Sequence, residues 1–160
     1  MSKFDTEYLT AAQLAAAAHR IEVAALLDRY LVGLDSAGPD SAGLDDAWAG
    51  SLFTADAVVE FPVGRHQGID GLAGFHRTAM AKFDRTQHLN SPAVVDLDGD
   101  RARLRANLIS TQVLKSQELF VTGTAAVGEA VLTAHGWRLR SMSFRLIWKT
   151  GEPPKPAQPR

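Results

Sequence analysis

The first apolar pattern along the chain has helical spacing and predicts a helix over residues 6–35. Thr10 and Gln13 stand three positions apart, which is the spacing of a capping box near its start. The pattern leaves open whether this is one helix or two that meet near Arg20. Its apolar stripe consists of residues three and four positions apart: Val23, Leu27, Tyr30, Leu31 and Leu34.

A loop at 35–43 follows, and its Gly-Pro pair is a stop signal for the helix. Ser41 is suited to cap a short helix over 44–53. A strand is then predicted over 57–63, with a turn at Gly64 and a third helix over 71–83 that Asp70 caps. The segment R-T-Q-H-L-N ends that helical pattern and leads into a strand pattern.

The second half of the chain alternates apolar and polar residues, which is typical of β-strands. The Asp-Gly pair at 98–99 is a hairpin signal, and the alternating arginines that follow it form one polar strand face. Helices followed by a run of strands indicate an α+β fold with the helices on one face of a curved antiparallel (mixed) sheet. We predict one domain over 1–151, a proline-rich tail over 152–160, and strands over 92–97, 101–113, 119–132 and 137–148.

The amino-acid composition excludes several classes of function. The net charge is −1, so no basic surface points to nucleic acid. The chain has no cysteine, which excludes disulfides and thiolate chemistry. It has no apolar run long enough for a membrane span, no signal-peptide layout, no glycine-rich phosphate loop and no clustered metal ligands. We therefore expect a cytoplasmic protein that needs no cofactor and no metal and binds neither nucleic acid nor membrane.

A series of short motifs resembles the SnoaL-like branch of the nuclear transport factor 2-like superfamily, over roughly residues 15–151. The resemblance implies a cone-shaped α+β barrel with a deep apolar pocket, usually as a homodimer. The superfamily includes scytalone dehydratases, polyketide cyclases, dehydrochlorinases and members without known catalysis. The motifs are R-Y-L-V-G-L-D, L-F-T-A-D-A-V-V-E-F, G-I-D-G-L, T-Q-H-L-N, D-L-D-G-D-R-A, G-W-R-L and W-K-T-G.

The resemblance also implies a site. Scytalone dehydratases and dehydrochlorinases place an aspartate at the end of the first long helix and a histidine before the strand after the third helix. Asp35 and His88 stand at those positions. A carboxylate on one ring nitrogen fixes the tautomer of an imidazole and stabilises its protonated form, so such a pair can move a proton. The expected function is a lyase, cyclase or isomerase acting on a small apolar or polyketide-like molecule.

Other expected site residues depart from those patterns. The second histidine of the dehydratase pattern has Arg105 or Asn107 nearest to it here. The basic residue that the dehydrochlorinase pattern places before its aspartate is Tyr30 in this sequence, and its late arginine falls near Met142, with Arg140 and Arg145 only neighbours. Tyr30 and Asn107 thus become candidate hydrogen-bond donors to a substrate oxygen.

Each candidate also has a purely structural interpretation. Asp35 is typical of a turn, His88 of a loop histidine, and Tyr30 of a core tyrosine. His76 lies on an apolar stripe and is left out of the chemistry. The alternative function is a non-catalytic ligand-binding or dimerisation domain, and a third is the small subunit of a ring-hydroxylating oxygenase. Five residues are candidates for the pocket lining or for plain core: Trp48, Phe53, Phe61, Val63 and Trp137.

Overall fold

A computed structural model describes residues 9–37 and 43–154 of the 160-residue chain. This part of the chain is α+β, as predicted, with the helices ahead of most of the strands. Its three helices and seven strands are α1 (Ala11–Ser36), α2 (Asp46–Leu52), β1 (Phe53–Phe61), β2 (Gly64–Gln67), α3 (Leu72–Met80), β3 (Phe83–Asn90), β4 (Val94–Asp98), β5 (Arg101–Leu114), β6 (Leu119–Thr133) and β7 (Gly136–Thr150).

Helix α1 is one continuous helix rather than two. Its capping box is confirmed: the Thr10 hydroxyl accepts from the Gln13 N–H, and the Gln13 side chain accepts from the Thr10 N–H. Buried residues begin only at Val23 and recur at the predicted spacing as far as Leu34. The second half of α1 therefore packs on the sheet, while residues 11–22 stand largely free of it.

The caps of the two shorter helices differ from the predictions. Asp45 caps α2 by accepting from the Trp48 N–H, whereas the predicted cap Ser41 lies outside the described residues. The prediction that Asp70 caps α3 is wrong: the cap residue is Gly71 in the left-handed region at φ 77°, with no side-chain cap bond. Glycine adopts that backbone conformation without the strain that other residues incur.

Two strands were not predicted. Strand β2 is a four-residue partner of β1, and β3 occupies the segment interpreted as the end of a helical pattern. In β3 the positions that turn inward are Thr86, His88 and Asn90. Because these residues are polar, β3 lacks the alternating apolar pattern by which a half-buried strand is usually found. His88 consequently lies inside a strand rather than at its entrance.

The strands form one mixed, curved and unclosed sheet in the order β2-β1-β7-β6-β5-β3, and β4 pairs with β5. Strand β1 runs parallel to β7, and the other pairings are antiparallel. The predicted hairpin is confirmed, since Asp98 pairs with Arg101 across a two-residue turn that holds Gly99 at φ 59°. None of the helices in the described part of the chain has both the length and the apolar character needed to cross a bilayer.

The core lies between α1 and the concave face of the sheet. Leu104 and Leu108 of β5 and Leu139 of β7 are buried against the stripe of α1. On the outer face, a row of directly paired residues crosses four strands: Leu89, Ile109, Gly123 and Trp148. Leu89, Ile109 and Trp148 are exposed and apolar. The Trp148 ring lies over Gly123, where a Cβ atom would come within 2.2 Å of it.

Candidate active site

The two residues that the resemblance paired are in direct contact. Asp35 lies in the last turn of α1, and its Oδ1 accepts a hydrogen bond from His88 Nδ1 at 2.6 Å. Its second oxygen accepts from the His88 backbone N–H at 2.7 Å. The Thr86 hydroxyl donates to Oδ1 at 2.8 Å. Sequence reasoning missed Thr86, although its place two residues before His88 puts it on the same face of a strand.

The carboxylate of Asp35 is held in its ionised form. Partial burial raises the pKa of this group, but hydrogen bonds from the ring and backbone of His88, the charge of that ring and a bond from Thr86 lower it further than burial raises it. The net effect is a pKa below the usual value for aspartate. An ionised carboxylate can only accept, so the proton between the two groups belongs to His88 Nδ1.

This assignment leaves the second ring nitrogen of His88 as a free acceptor. The His88 side chain is only 8% exposed, and its Nε2 is not among the fully enclosed atoms that lack a partner, so this nitrogen lies where a substrate can reach it. No residue among 9–37 and 43–154 forms a hydrogen bond with Nε2. A partly buried imidazole with one nitrogen held by a carboxylate and the other free has the arrangement of a general base.

A second polar contact fixes α1 against β3 close to this pair. Asn90 Nδ2 donates to Asp28 Oδ1 at 3.0 Å. Asp28 lies two helical turns before Asp35, and Asn90 lies two strand positions after His88. The two contacts therefore run in parallel along the same helix–strand interface and set its register.

Tyr30 is not part of this arrangement. Its hydroxyl is fully buried and donates to His76 Nε2 at 2.8 Å. His76 Nδ1 in turn donates to the Leu72 carbonyl at 2.9 Å, so Nε2 has to be the acceptor. Burial lowers the pKa of His76 to about 4, although the bond to Leu72 acts in the opposite direction, and burial raises the pKa of Tyr30. Tyr30 and His76 thus form a neutral polar pair within the core.

Asn107 is also separated from the dyad. It lies on β5 between the buried residues Ala106 and Leu108, and it is exposed. Because successive side chains of a strand point to opposite faces, Asn107 points to the outer face while His88 points inward. The structure therefore brings neither of the two predicted oxygen-holding donors to Nε2.

The predicted lining residues divide into core and surface. Phe53 and Trp137 are buried, and Trp48 and Phe61 are partly buried against the core. Val63 is 92% exposed at the turn between β1 and β2, so it lines nothing. Aromatic rings fill much of the interior near Tyr30, which stacks on Trp48 and Phe144 and meets Phe53 and His76 edge to face.

Two cavities are outlined by described residues. One of about 240 Å³ lies over β4, β5 and β6, where Asp96, Arg101 and Glu129 are among its walls. The other, of about 460 Å³, adjoins Asp46 and Asp70. Asp35 and His88 line neither of them, and a deep apolar pocket at the dyad remains a prediction. Within residues 9–37 and 43–154, no three His, Asp or Glu side chains are grouped so that they could hold a metal ion.

Comparison with known proteins adds a family and a set of structural neighbours. A model of the SnoaL-like domain matches residues 15–143. A nuclear transport factor 2-like superfamily protein from Salmonella enterica superposes with a TM-score of 0.72 at 20% identity, covering 85% of this chain and 96% of that one. No curated protein sequence matches the chain.

Two further neighbours have names that state an activity. A protein assigned as a scytalone dehydratase, from Novosphingobium aromaticivorans, has a TM-score of 0.74 at 18% identity, over 90% of this chain and 94% of its own. A hexachlorocyclohexane dehydrochlorinase from Novosphingobium barchaimii has a TM-score of 0.72 at 15% identity, over 86% and 92%. Identities this low establish a shared fold.

Proposed function

Because the chain belongs to the SnoaL-like family, we propose that it is a cofactor-independent acid/base enzyme, a lyase, cyclase or isomerase with Asp35 and His88 as its catalytic dyad. One observation carries the proposal. Asp35 accepts from both the ring Nδ1 and the backbone N–H of His88, while Nε2 has no partner in the described part of the chain.

In the proposed reaction, His88 Nε2 takes a proton from a substrate carbon next to a carbonyl group. The C–H bond breaks, its electron pair forms a carbon–carbon double bond, and the carbonyl π electrons move to oxygen. Asp35 stabilises the imidazolium that results and keeps the ring in place to return the proton. General-base catalysis of this kind contributes a factor of roughly 10²–10⁴ to the rate.

The proposed substrate is a small apolar or polyketide-like molecule. The aromatic and aliphatic side chains of the interior support this class, because they offer dispersion contacts and few polar groups. Two structural neighbours are named as a dehydratase and a dehydrochlorinase, and both names support an elimination-type reaction as one form of the proposed chemistry. We propose that the reaction takes place in a pocket at Asp35 and His88, between α1 and β3.

The test is deuterium incorporation. The protein is incubated in D₂O with neutral ketones that carry hydrogen next to the carbonyl group, and exchange is followed by mass spectrometry. We expect the wild type to accelerate exchange, His88→Ala to abolish the acceleration, and the outer-face variant Asn107→Ala to retain it. Equal deuterium exchange with the wild type and with His88→Ala would show that His88 does not transfer the proton.

The second candidate function is a non-catalytic binding or dimerisation domain. The exposed row of Leu89, Ile109 and Trp148 on the outer face favours it, because contiguous apolar patches of this kind mark interaction sites. We propose that this face joins two copies of the chain in a homodimer. A wild-type protein that dimerises and binds ketones without exchanging their protons would favour this second function over the first.

A further inference from the structure

Ser110 carries a buried hydroxyl group that is not part of the contacts between Asp35 and His88. It lies on β5 and is only 6% exposed, on the apolar phase of a strand whose other inward residues include Ala106 and Leu108. No residue in the described ranges forms a hydrogen bond with its Oγ. Among the described residues, the fully enclosed side-chain nitrogen or oxygen without a partner is Trp48 Nε1, so the Ser110 oxygen reaches open space. Buried hydroxyls are normally hydrogen-bonded, and this one can take its partner, a water molecule or a ligand, from that space.

The other buried polar side chain, that of His76, differs from Ser110 in its hydrogen bonds. Apart from Tyr30, the buried polar or charged residues of the described chain are His76 and Ser110. His76 has both ring nitrogens bonded, one to Tyr30 and one to the Leu72 carbonyl. Ser110 is therefore the buried polar residue whose hydroxyl is still free to bind a ligand.

The strand register places Ser110 directly across from His88. The two residues pair between β3 and β5, and both face inward. Directly opposite residues in an antiparallel sheet have Cβ atoms about 5 Å apart. The same inward row continues to Thr122 on β6 and ends at the exposed Lys149 on β7. A small group bound over His88 and Ser110 is therefore within reach of both side chains, while Thr122 lies one strand further away.

We propose that the Ser110 hydroxyl donates a hydrogen bond to the carbonyl oxygen of the substrate and so makes this protein selective for ketones. The proposal rests on the function proposed above, since it assumes that His88 faces the carbon next to that carbonyl. When His88 takes the proton, negative charge moves onto the carbonyl oxygen, and the hydrogen bond from Ser110 becomes stronger at that moment.

The charges of the site indicate that the bound ketone is neutral. No lysine or arginine in the described part of the chain is buried, so no cation in the interior faces an anionic group next to His88. The carboxylate of Asp35 is already the counter-charge for a protonated His88. A single neutral donor such as Ser110 suits an uncharged carbonyl oxygen, which takes on charge only during proton transfer.

The test uses two probes of the same shape. Acetophenone has a carbonyl oxygen, and α-methylstyrene carries a methylene group in its place. The carbonyl stretching frequency of ¹³C-labelled acetophenone reports a hydrogen bond directly, and its methyl hydrogens report proton transfer in D₂O. Binding of both probes is measured by calorimetry, with Ser110→Ala as the test variant and Thr122→Val as the matched control one strand further from His88.

We expect the carbonyl stretch of acetophenone to move to lower frequency on the wild type and on Thr122→Val, but not on Ser110→Ala. Acetophenone should bind Ser110→Ala about tenfold more weakly, while α-methylstyrene binds both proteins equally. Exchange of the methyl hydrogens should fall about 10²-fold in Ser110→Ala. Ser110→Thr retains a hydroxyl and should restore the frequency shift.

The two proposals fail in different ways. A Ser110-dependent frequency shift without exchange in the wild type would preserve the Ser110 contact and overturn the enzyme function. Exchange that is equal in wild type and Ser110→Ala would preserve the enzyme and overturn the role of Ser110. Equal affinity of the wild type for both probes, a shift that depends on Thr122 instead, or no binding of acetophenone up to its solubility limit would also overturn the Ser110 proposal.

Discussion

Asp35 binds His88 at two points, the ring Nδ1 and the backbone N–H, although 53 residues separate them in the chain. The backbone bond fixes the distance between α1 and β3, and the ring bond fixes the tautomer. A carboxylate that held the ring alone would leave the strand free to shift along the helix. The double contact therefore aligns Nε2 as well as activating it.

The tautomer of His88 depends on this carboxylate. In Asp35→Asn, the one remaining acceptor oxygen is required by the His88 backbone N–H, which can only donate, so the amide NH₂ faces the ring and an N–H at Nδ1 meets another N–H group. We expect the Nδ1–H tautomer to lose its dominance and proton exchange to fall by about 10²–10⁴. Long-range ¹H–¹⁵N NMR identifies the protonated nitrogen. Asp28→Asn, which alters the neighbouring contact to Asn90, is the control, and an unchanged tautomer in Asp35→Asn would contradict the prediction.

Acid should destabilise the protein through His76. Its pKa is lowered from 6.5 to about 4 in the folded state, so the unfolded chain binds the proton more tightly at any pH between these values. Stability should therefore fall as the pH drops from 6.5 to 4, by up to about 3 kcal/mol. Urea unfolding at a series of pH values measures this, and His76→Phe should show a flatter profile over the same window.

Asp35 affects a different pH range. The pKa of this carboxyl is lowered below its ordinary value of 3.8, so its stabilising contribution is complete above that value and is lost as the pH falls further. The part of the pH profile that Asp35 itself adds should therefore lie below pH 3.8, and it should be missing in Asp35→Asn. An equal loss of stability below pH 3.8 in the wild type and in Asp35→Asn would contradict this assignment.

Tyr30→Phe should weaken the fold and spare the chemistry. The substitution keeps the ring stacking but removes the donor to His76 Nε2, which is then buried without a partner. An unsatisfied buried acceptor costs about 1–3 kcal/mol. Thermal unfolding measures the loss, and deuterium exchange per folded molecule should stay at the wild-type level. A large loss of deuterium exchange in a folded Tyr30→Phe protein would show that Tyr30 takes part in the reaction.

The close approach of Trp48 to α1 depends on Gly33. A Cβ at position 33 would lie 2.3 Å from Trp48 Nε1, so Gly33→Ala should destabilise the protein by about 1–3 kcal/mol through overpacking. Gly50 in α2 provides the comparison, because a Cβ there meets nothing within 4 Å. Gly50→Ala should therefore be neutral or stabilise α2 by up to about 1 kcal/mol. Chemical denaturation of both variants distinguishes steric crowding from a general effect of alanine.

The proposed homodimer predicts a single sensitive position. Trp148 is exposed and is the largest side chain of the outer apolar row, so Trp148→Ser should raise the dimer dissociation constant by tenfold or more, about 1.4 kcal/mol or above. Val63→Ala removes apolar surface that is more exposed but lies elsewhere, and it should leave the dissociation constant unchanged. Sedimentation velocity over a range of concentrations measures both, and a monomeric wild type would contradict the proposal.

The polar residues of the candidate site are also the reason why strand β3 was not predicted from the sequence. The fold class, the long strands β5, β6 and β7 and the contact of Asp35 with His88 followed from periodicity and resemblance. Strand β3 did not, because Thr86, His88 and Asn90 fill its inward positions with polar side chains. Their partners are polar groups of α1, a compensation that is visible only in three dimensions.

Strand alternation contradicts the site role that was predicted for Asn107, and it also places Ser110, which the sequence analysis did not name. Arg105 was assigned to a polar strand face, and Asn107 shares its phase, so an outward position follows directly. Ser110 shares the opposite phase with Leu104 and Leu108 and is therefore inward. By contrast, the bond between Tyr30 and His76 joins two helices whose packing the sequence does not specify, so only coordinates reveal it.

The parallel pairing of β1 with β7 has a consequence for synthesis in the cell. Val58, Val59 and Glu60 find their partners at residues 141–143, near the end of the chain. During translation, β1 can pair with β2 as soon as residues 64–67 are made, but it has no neighbour on its other side until β7 leaves the ribosome. The nascent chain therefore carries an open β-edge from the synthesis of β1 until that of β7, which is the period when a holding chaperone would protect it from aggregation.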